Sequence, residues 1–518
     1  MKCDESFGER GEGCFCLDCR KYEREIAVND PVNILFLSSE AAPYAKTGGL
    51  ADVAGSLPGA LKRLGADVSV GLPLYRAVKE GAFQRQVVFK GLQVPLAGQT
   101  LIGNVQATET DDGVPVYLFE REDLFDRPNL YRTSEGDYYD NLERFAFFSR
   151  AALLFAKATG MSFDVIHCHD WQTGLVPAYL STLRRTDPFF TSTATLFTIH
   201  NIGYQGLFPG AKLSACGLAA ETFHPEGIEY WGSISLLKAG IVYSDAITTV
   251  SPKYSLEIQT PEFGMGMEGI LRKRSAGVHG ILNGADYSVW DPAKDPHIPS
   301  LFDSDHLSEK MVDKEALLKE AGLEPALLHR PVLGMISRLS HQKGCDLLIP
   351  ILDEIAAMKV GMVILGEGEE PYESALRDAA EGHPGTVAVK IGFDEALAHR
   401  IMAGADIFLV PSLYEPCGLT QMYALKYGTV PVVRATGGLD DTIEEFDPRS
   451  KRGNGFKFGP YESSAFLSAI QRAVDFWTNR ETWEILMRKG MAADFSWNRS
   501  AERYLELYQT LLGAKPRY

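Results

Sequence analysis

"VNILFLSSEAAPYAKTGGLADV", residues 32–53, joins an apolar run to a helical pattern through a lysine and two adjacent glycines. The run reads as a buried strand, and residues 50–65, "LADVAGSLPGALKRLG", have helical apolar spacing that stops at Gly65. Glycine weakens regular structure, so local propensity gives no reason for Gly48-Gly49. A loop whose backbone must approach a ligand gives one.

The same alternation continues outward. "ADVSVGLP", "FDVIHCHD", "TATLFTIHN" and "AITTVS" are short β-rich runs ending in polar residues, with helical stretches such as "LERFAFFSRAALLFAKA" between them. Continuous apolar strands alternating with helices predict a parallel sheet covered on both faces. Residues 82–119 alternate differently, contain turn glycines, and are expected to form a hairpin insertion. The pattern pauses at "GVHGILNGADYSVWDPAKDPHIPS" and resumes with "RPVLGMISRL", "KVGMVILGEG", "TVAVKIGF", "ADIFLVPS" and "TVPVVRATGG". The fold class expected is therefore α/β, with two Rossmann-like doubly wound parallel-sheet domains facing a central cleft. The boundaries expected are a leader at 1–30, a first domain at 31–276, a second at 277–490 and a C-terminal segment at 491–518.

Composition narrows the function classes. Fifty-one basic against 68 acidic side chains leave a net charge of −17. That surface argues against non-specific nucleic-acid binding and against docking on anionic membranes. No apolar run approaches the ~20 residues that span a bilayer. The opening "MKCDESFGERGEG" lacks the apolar centre of a secretory signal, so the expected location is the cytoplasm. Of eight cysteines, Cys168, Cys216, Cys345 and Cys417 are scattered through the apolar body, as reduced thiols would be. Cys3, Cys14, Cys16 and Cys19 crowd the leader. They form either a structural zinc site, for which Cys16-x-x-Cys19 has a ligand spacing, or an incidental or redox-active tail.

In open parallel sheets ligands bind beyond the carboxyl ends of the strands. The unusual polar residues fall there: Lys46 with Gly48-Gly49, Asp170, His200, Arg338 with Lys343, and Glu415 all follow apolar runs. "KTGGL" is either a phosphate-holding turn or a tight structural one; it is neither G-x-G-x-x-G nor a P-loop. Arg338 and Lys343 are either a diphosphate clamp or a solvated basic patch, and position favours the clamp. Glu415 is either a sugar-hydroxyl acceptor or a helix-start carboxylate, and the following N–H groups of Gly418, Leu419 and Thr420 suit a phosphate. No Asp-x-Asp stands at these strand ends, and the body shows no H-E-x-x-H and no cysteine–histidine ligand set. This suits transfer of a group from a nucleotide diphosphate without a metal or other cofactor, the leaving charge being met by fixed cations.

Taken together, "SSEAAPYAKTGGLADV", "HCHDWQTGLVP", "TIHNIGYQGLF", "ILNGAD", "RLSHQKG", "IMAGADIFLVPSLYEPCGLTQMYALKYG" and "RATGGLDDT" resemble the bacterial-type glycogen and starch synthases, from Asn33 to about residue 510. The resemblance implies a GT-B-type fold whose last helix, within 491–518, crosses back to the first domain. It implies retaining transfer of glucose from ADP-glucose to the non-reducing 4-hydroxyl of an α-1,4-glucan. It assigns Lys46, Gly48, Gly49 and Asp52 to the donor. It gives the diphosphate to Arg338 and Lys343, and the phosphate-side loop to Cys417, Gly418, Leu419 and Thr420. Glu415, Gly437 and Gly438 take glucose hydroxyls. His200, Asp170 and Asn283 stand near the reacting sugar, Trp171 near the acceptor, and Phe393 near the base, where the family often has tyrosine. The competing functions are a retaining transferase using UDP-glucose and a non-catalytic glucan-binding regulator. The four charged positions Lys46, Arg338, Lys343 and Glu415 are all intact, which counts against the second.

Overall fold

The computed structural model describes residues 31–513 and contains two large sheets, each built on parallel strands. The first consists of β1 (Asn33–Leu37), β2 (Asp67–Pro73), β3 (Gln86–Leu96), β4 (Gln99–Glu109), β5 (Pro115–Glu120), β6 (Val165–His169), β7 (Ala194–Ile199), β8 (Ala246–Thr249) and β9 (Val278–Gly280). Their order is β9-β8-β7-β6-β1-β2-β5-β4-β3. Central strands are buried end to end, as β6 is, because helices cover both faces. β1 sits in register with both neighbours, Phe36 lying opposite Val70 on one side and His167 on the other.

The expected insertion at 82–119 resolves into two parts. β3 and β4 form an antiparallel hairpin, Phe89 opposite Val105. β5 runs parallel to β2, Val70 opposite Val116, and is a strand of the core sheet. Its Val116, Leu118 and Phe119 are buried, which no hairpin arm at a sheet edge requires. β9, just past residue 276, still pairs with β8.

The second sheet contains β10 (Val332–Ile336), β11 (Gly361–Gly366), β12 (Val387–Ile391), β13 (Ile407–Val410), β14 (Val430–Arg434) and β15 (Phe456–Phe458), all parallel, in the order β12-β11-β10-β13-β14-β15. In each sheet the chain fills one side and then the other. The order reverses between β1 and β6 in the first, and between β10 and β13 in the second. Such reversals open a crevice at the strands' carboxyl ends.

Two features tie the units together. The segment after β9 is pinned to the second: Trp290 stacks on His399 at 3.8 Å and on Tyr423 at 4.4 Å. Asp295 accepts hydrogen bonds from His399 Nδ1 at 2.7 Å and the Tyr427 hydroxyl at 2.5 Å. The last helix, Trp497–Gly513, returns to the first sheet, where the Tyr508 hydroxyl meets His167 Nδ1 at 2.7 Å. Among the described residues, no helix is long and apolar enough to cross a membrane. Cys168, Cys216, Cys345 and Cys417 are free and buried. Cys3, Cys14, Cys16 and Cys19, with the zinc reading attached to them, lie outside the described residues.

Candidate active site

A cavity of about 1370 Å³ lies where the two crevices face each other. From the first unit it is lined by Lys46, Gly48, Gly49, Asp52, Asp170, Trp171, His200 and Asn283, and from the second by Arg338, Lys343, Glu415, Cys417, Gly418, Leu419 and Thr420. Of the positions expected from the sequence, only Phe393 and the Gly437-Gly438 pair stand outside this lining.

Open space, not packing, surrounds the glycines of the loop after β1. A Cβ built on Gly48 or Gly49 meets no protein atom within 4 Å. A side chain there would instead occupy the cavity that both residues line. The loop is shaped by Glu40, a buried residue that the sequence does not single out. Its carboxylate accepts from Thr47 N at 2.5 Å, Thr47 Oγ1 at 2.6 Å, Gly48 N at 3.2 Å and the Tyr131 hydroxyl at 2.7 Å. The helix Gly49–Arg63 then starts with no side-chain cap, which leaves its first N–H groups available at the cavity wall. Lys46 Nζ donates to Asp52 Oδ1 at 2.6 Å. Burial pushes the Asp52 carboxyl up, and the Lys46 charge opposes that.

At the end of β6, Asp170 has φ 54°, a left-handed conformation that aspartate tolerates better than most residues. The turn aims its Oδ1 at the backbone N–H of His200, 2.7 Å away at the end of β7. Burial raises the Asp170 carboxyl to about 7; the His200 and Asn201 N–H groups pull it down, and the charge of Glu40 pushes it further up. Burial drives His200 the other way, down to about 3, so its imidazole is neutral at pH 7. Its Nε2 shares a 2.9 Å hydrogen bond with His169 Nδ1. Trp171 is half-buried, held edge-on by Phe145 with centroids 5.1 Å apart. Asn283 is buried, and its Oδ1 has no hydrogen-bond partner although the residue lines the cavity. A buried acceptor left open in this way suits a hydroxyl donor supplied from outside the chain.

On the opposite wall, β10 ends at Ile336 and Arg338 lies just beyond it, Nη2 donating to Gln342 Oε1 at 3.3 Å. Lys343 forms an ion pair that sequence spacing does not reveal: its Nζ lies 2.5 Å from Glu415 Oε2, which also accepts from Ser412 Oγ at 2.9 Å. Both partners are largely shielded from water, so the pair is stronger than a surface one. Beyond Glu415, the helix Thr420–Lys426 begins without a side-chain cap. Burial pushes the Cys417 thiol up to about 12, which leaves it a protonated packing group rather than a nucleophile.

Gly437 and Gly438 stand behind that wall. A Cβ on Gly437 would lie 1.9 Å from Glu415 O, and one on Gly438 2.0 Å from Cys417 O. Their N–H groups are engaged within the protein. Gly437 N donates to the Glu257 carboxylate at 3.0 Å, and Gly438 N to the Glu415 carbonyl at 3.0 Å. The pair is glycine because the 415–417 backbone passes against it, not because it faces the cavity. Phe393 is 83% exposed and also lies outside the cavity lining. Tyr131 and Glu257 are invisible to sequence reasoning because each acts through a partner far away in the chain, and Glu40 because its bonds to Thr47 and Gly48 depend on how the loop folds back. The position of Glu40 at a strand's exit is the one available signal. Among the described residues, no group of three or more His, Cys, Asp or Glu side chains is placed to hold a metal ion.

Known proteins share this architecture. Residues 33–273 match the starch synthase catalytic domain family, and residues 324–486 match the glycosyl transferases group 1 family. A glycogen synthase of Koribacter versatilis is 47% identical over 478 residues, covering 92% of this chain and 98% of the relative. One from Anaeromyxobacter dehalogenans is 48% identical over 482 residues, 93% and 99% of the two chains. Among solved structures, the catalytic domain of starch synthase IV from Arabidopsis thaliana, bound to ADP and acarbose, superposes with a TM-score of 0.86 at 33% identity, covering 94% of this chain and all of that one. A sucrose-phosphate synthase from Thermosynechococcus elongatus, at 19% identity and a TM-score of 0.57, shares the fold. The chain therefore belongs to the glycogen and starch synthase family of glycosyltransferases.

Proposed function

We propose that the protein elongates an α-1,4-glucan by transferring glucose from ADP-glucose to a non-reducing 4-hydroxyl, with retention at the anomeric carbon and release of ADP. The observation that carries this reading is the meeting, in one cavity, of a cation–carboxylate wall from the second sheet with a wall from the first that holds neutral His200, Asn283 and Trp171 beside the Lys46–Asp52 pair. ADP in the Arabidopsis relative's structure supports the choice of nucleotide.

Each wall has a distinct task. Lys343 Nζ carries three donors and gives one to Glu415, so it has others for a diphosphate oxygen. Arg338 supplies a second fixed positive charge. As the bond from the anomeric carbon to the diphosphate breaks, negative charge grows on the leaving oxygen, and these cations are already in place to receive it. Glu415 Oε2 is occupied by Lys343 and Ser412, which directs its other oxygen to glucose hydroxyls. Neutral His200 offers a hydrogen bond without adding charge beside an oxocarbenium-like centre. Lys46 and the Gly48-Gly49 turn steady the donor from the facing wall, and Trp171 and Asn283 receive the sugars.

Same-face substitution fits this arrangement. The incoming 4-hydroxyl bonds to the anomeric carbon from the side the diphosphate leaves, and a diphosphate oxygen takes its proton. Arg338 and Lys343 supply the charge that a divalent ion would otherwise bring. The work is divided, in the cytoplasm, between a first unit, expected at 31–276 but reaching past β9, which presents the acceptor, and a second, expected at 277–490, which grips the nucleotide sugar. A donor-by-acceptor screen tests this: ADP-glucose with glycogen should lengthen chains and release ADP. Faster transfer from UDP-glucose, or no chain growth on any α-glucan, would overturn it.

A further inference from the structure

Outside the cavity, Trp231 stands at the tip of a hairpin formed by Glu229–Tyr230 and Ser233–Ser235, with Tyr230 opposite Ser233. Its side chain is 88% exposed. The two tip residues, Trp231 and Gly232, have φ of 50° and 81°. A two-residue turn with both φ positive is the type I′ geometry, which favours Asn-Gly. A bulky aromatic there is a poor local choice that folding does not explain, since the indole packs on little. Residues that break a local rule without a packing gain are candidates for function.

The hairpin is held firmly. Gly232 N donates to Glu229 Oε1 at 2.7 Å, the Tyr230 hydroxyl to Met265 O at 3.1 Å, and Lys238 Nζ to Glu229 O at 2.5 Å. It is also continuous with the reaction cavity. Ser233–Ser235 pairs with the strand Leu207–Pro209, whose Leu207 lines the cavity and is itself exposed. Lys212, three residues beyond that strand, donates to the carbonyl of Tyr139, an 84% exposed ring at the cavity wall. Exposed apolar side chains thus stand both at the cavity, Leu207 and Tyr139, and at the hairpin tip, Trp231, with one strand pairing between them.

We propose that Trp231 is a stacking platform for a second stretch of α-glucan outside the reaction cavity, holding the polymer whose end reacts inside. The inference rests on the proposed function for the identity of the polymer. A pyranose ring offers an apolar C–H face that fits an indole face and hydroxyls that stay in water. A neutral polymer also suits a chain with a net charge of −17, which repels polyanions. A single indole is too small a target for a protein interface of standard size, roughly 800 Å² per partner.

The test is Trp231→Asn, which suits the turn and removes the ring. Migration through a native gel containing glycogen, with no sugar nucleotide present, reads binding alone. Loss of one aromatic stack should weaken retention about three- to tenfold. The KM for glycogen should rise by a similar factor relative to the KM for maltotriose, whose three rings offer no second stretch of polymer. Trp231→Gly, equally compatible with positive φ, provides the same comparison if the asparagine variant does not fold. Wild-type retention together with an unchanged ratio of the two KM values would overturn the inference while leaving glucosyl transfer intact. Wild-type protein that binds glycogen through Trp231 but transfers no glucose would overturn the function and keep the platform.

Discussion

Asp170→Asn separates what the site needs from what the fold prefers. Burial moves this carboxyl from its ordinary 3.8 to about 7. Between those values the folded chain keeps a proton that the unfolded chain has released. Stability is therefore undiminished below pH 4, falls as pH rises towards 7, and carries the full penalty above that. At 1.36 kcal/mol per pH unit the loss has a ceiling of roughly 4 kcal/mol. Asparagine cannot ionise, keeps an oxygen to accept from His200 N, and tolerates the left-handed backbone. The variant should match wild type near pH 4 and exceed it at pH 8. For a unit of about 250 residues the ceiling corresponds to a Tm gain on the order of 10 °C. Thermal unfolding at pH 4, 6 and 8 measures it, and taking the difference between variant and wild type cancels the titration of the other groups. On the proposed function, which sets this carboxyl near the reacting sugar, glucosyl transfer should fall most above pH 7, where the wild-type group is ionised. Parallel Tm-against-pH curves for the two proteins would refute the argument, because the buried charge would then carry no energetic penalty.

Lys343→Ala should lower kcat more than tenfold, at least about 1.4 kcal/mol of barrier, because it removes a cation needed most as the diphosphate leaves; steady-state kinetics with an unchanged kcat would remove Lys343 from the clamp. Lys46→Gln should act mainly on KM for the sugar nucleotide, as its ammonium stands on the opposite wall, and an unaltered KM would move it out of the donor site. Glu257→Ala should destabilise by about 1–3 kcal/mol by leaving the buried Gly437 N–H without an acceptor, whereas Glu257→Gln should retain most of the stability; equal losses from both, measured by thermal unfolding, would mean that the acceptor is not what matters.

The alternation of apolar runs and helices makes the parallel sheets legible, because a strand buried on both faces leaves an unbroken apolar word in the sequence. β5 is harder. It follows a turn-rich hairpin, and only its register beside β2 reveals that it belongs to the core. β15 is three residues long, too short to show any period. Strand ends indicate where polar residues gather, yet not how they pair. Lys343 and Glu415 are 72 residues apart, and Glu40 and Tyr131 are 91 apart. The two glycine pairs make the sharper lesson. Both signal close approach, but Gly48-Gly49 opens onto the cavity whereas Gly437-Gly438 admits the chain's own backbone. A sequence states that a side chain is unwelcome and is silent on what stands in its place.

That second pair also shows how the two walls are kept in register. Glu257, at the end of the helix Pro252–Glu257, accepts from the Gly437 N–H that opens the helix Gly437–Thr442. In return Asp441, on that second helix, accepts from Lys253 N in the first turn of the other at 2.7 Å. Each helix thus caps its neighbour across the boundary between the units. A lost cap costs about 1 kcal/mol, so the two caps contribute about 2 kcal/mol to holding the helices together, or roughly thirtyfold in population. An apolar seam of the same extent would resist separation whatever was bound. A pair of caps is weak enough for a nucleotide sugar gripping both walls to decide the balance, and directional enough that the walls meet in one alignment when it does. Because Gly437 and Gly438 bear directly on the backbone of Glu415 and Cys417, that alignment is transmitted to the carboxylate paired with Lys343.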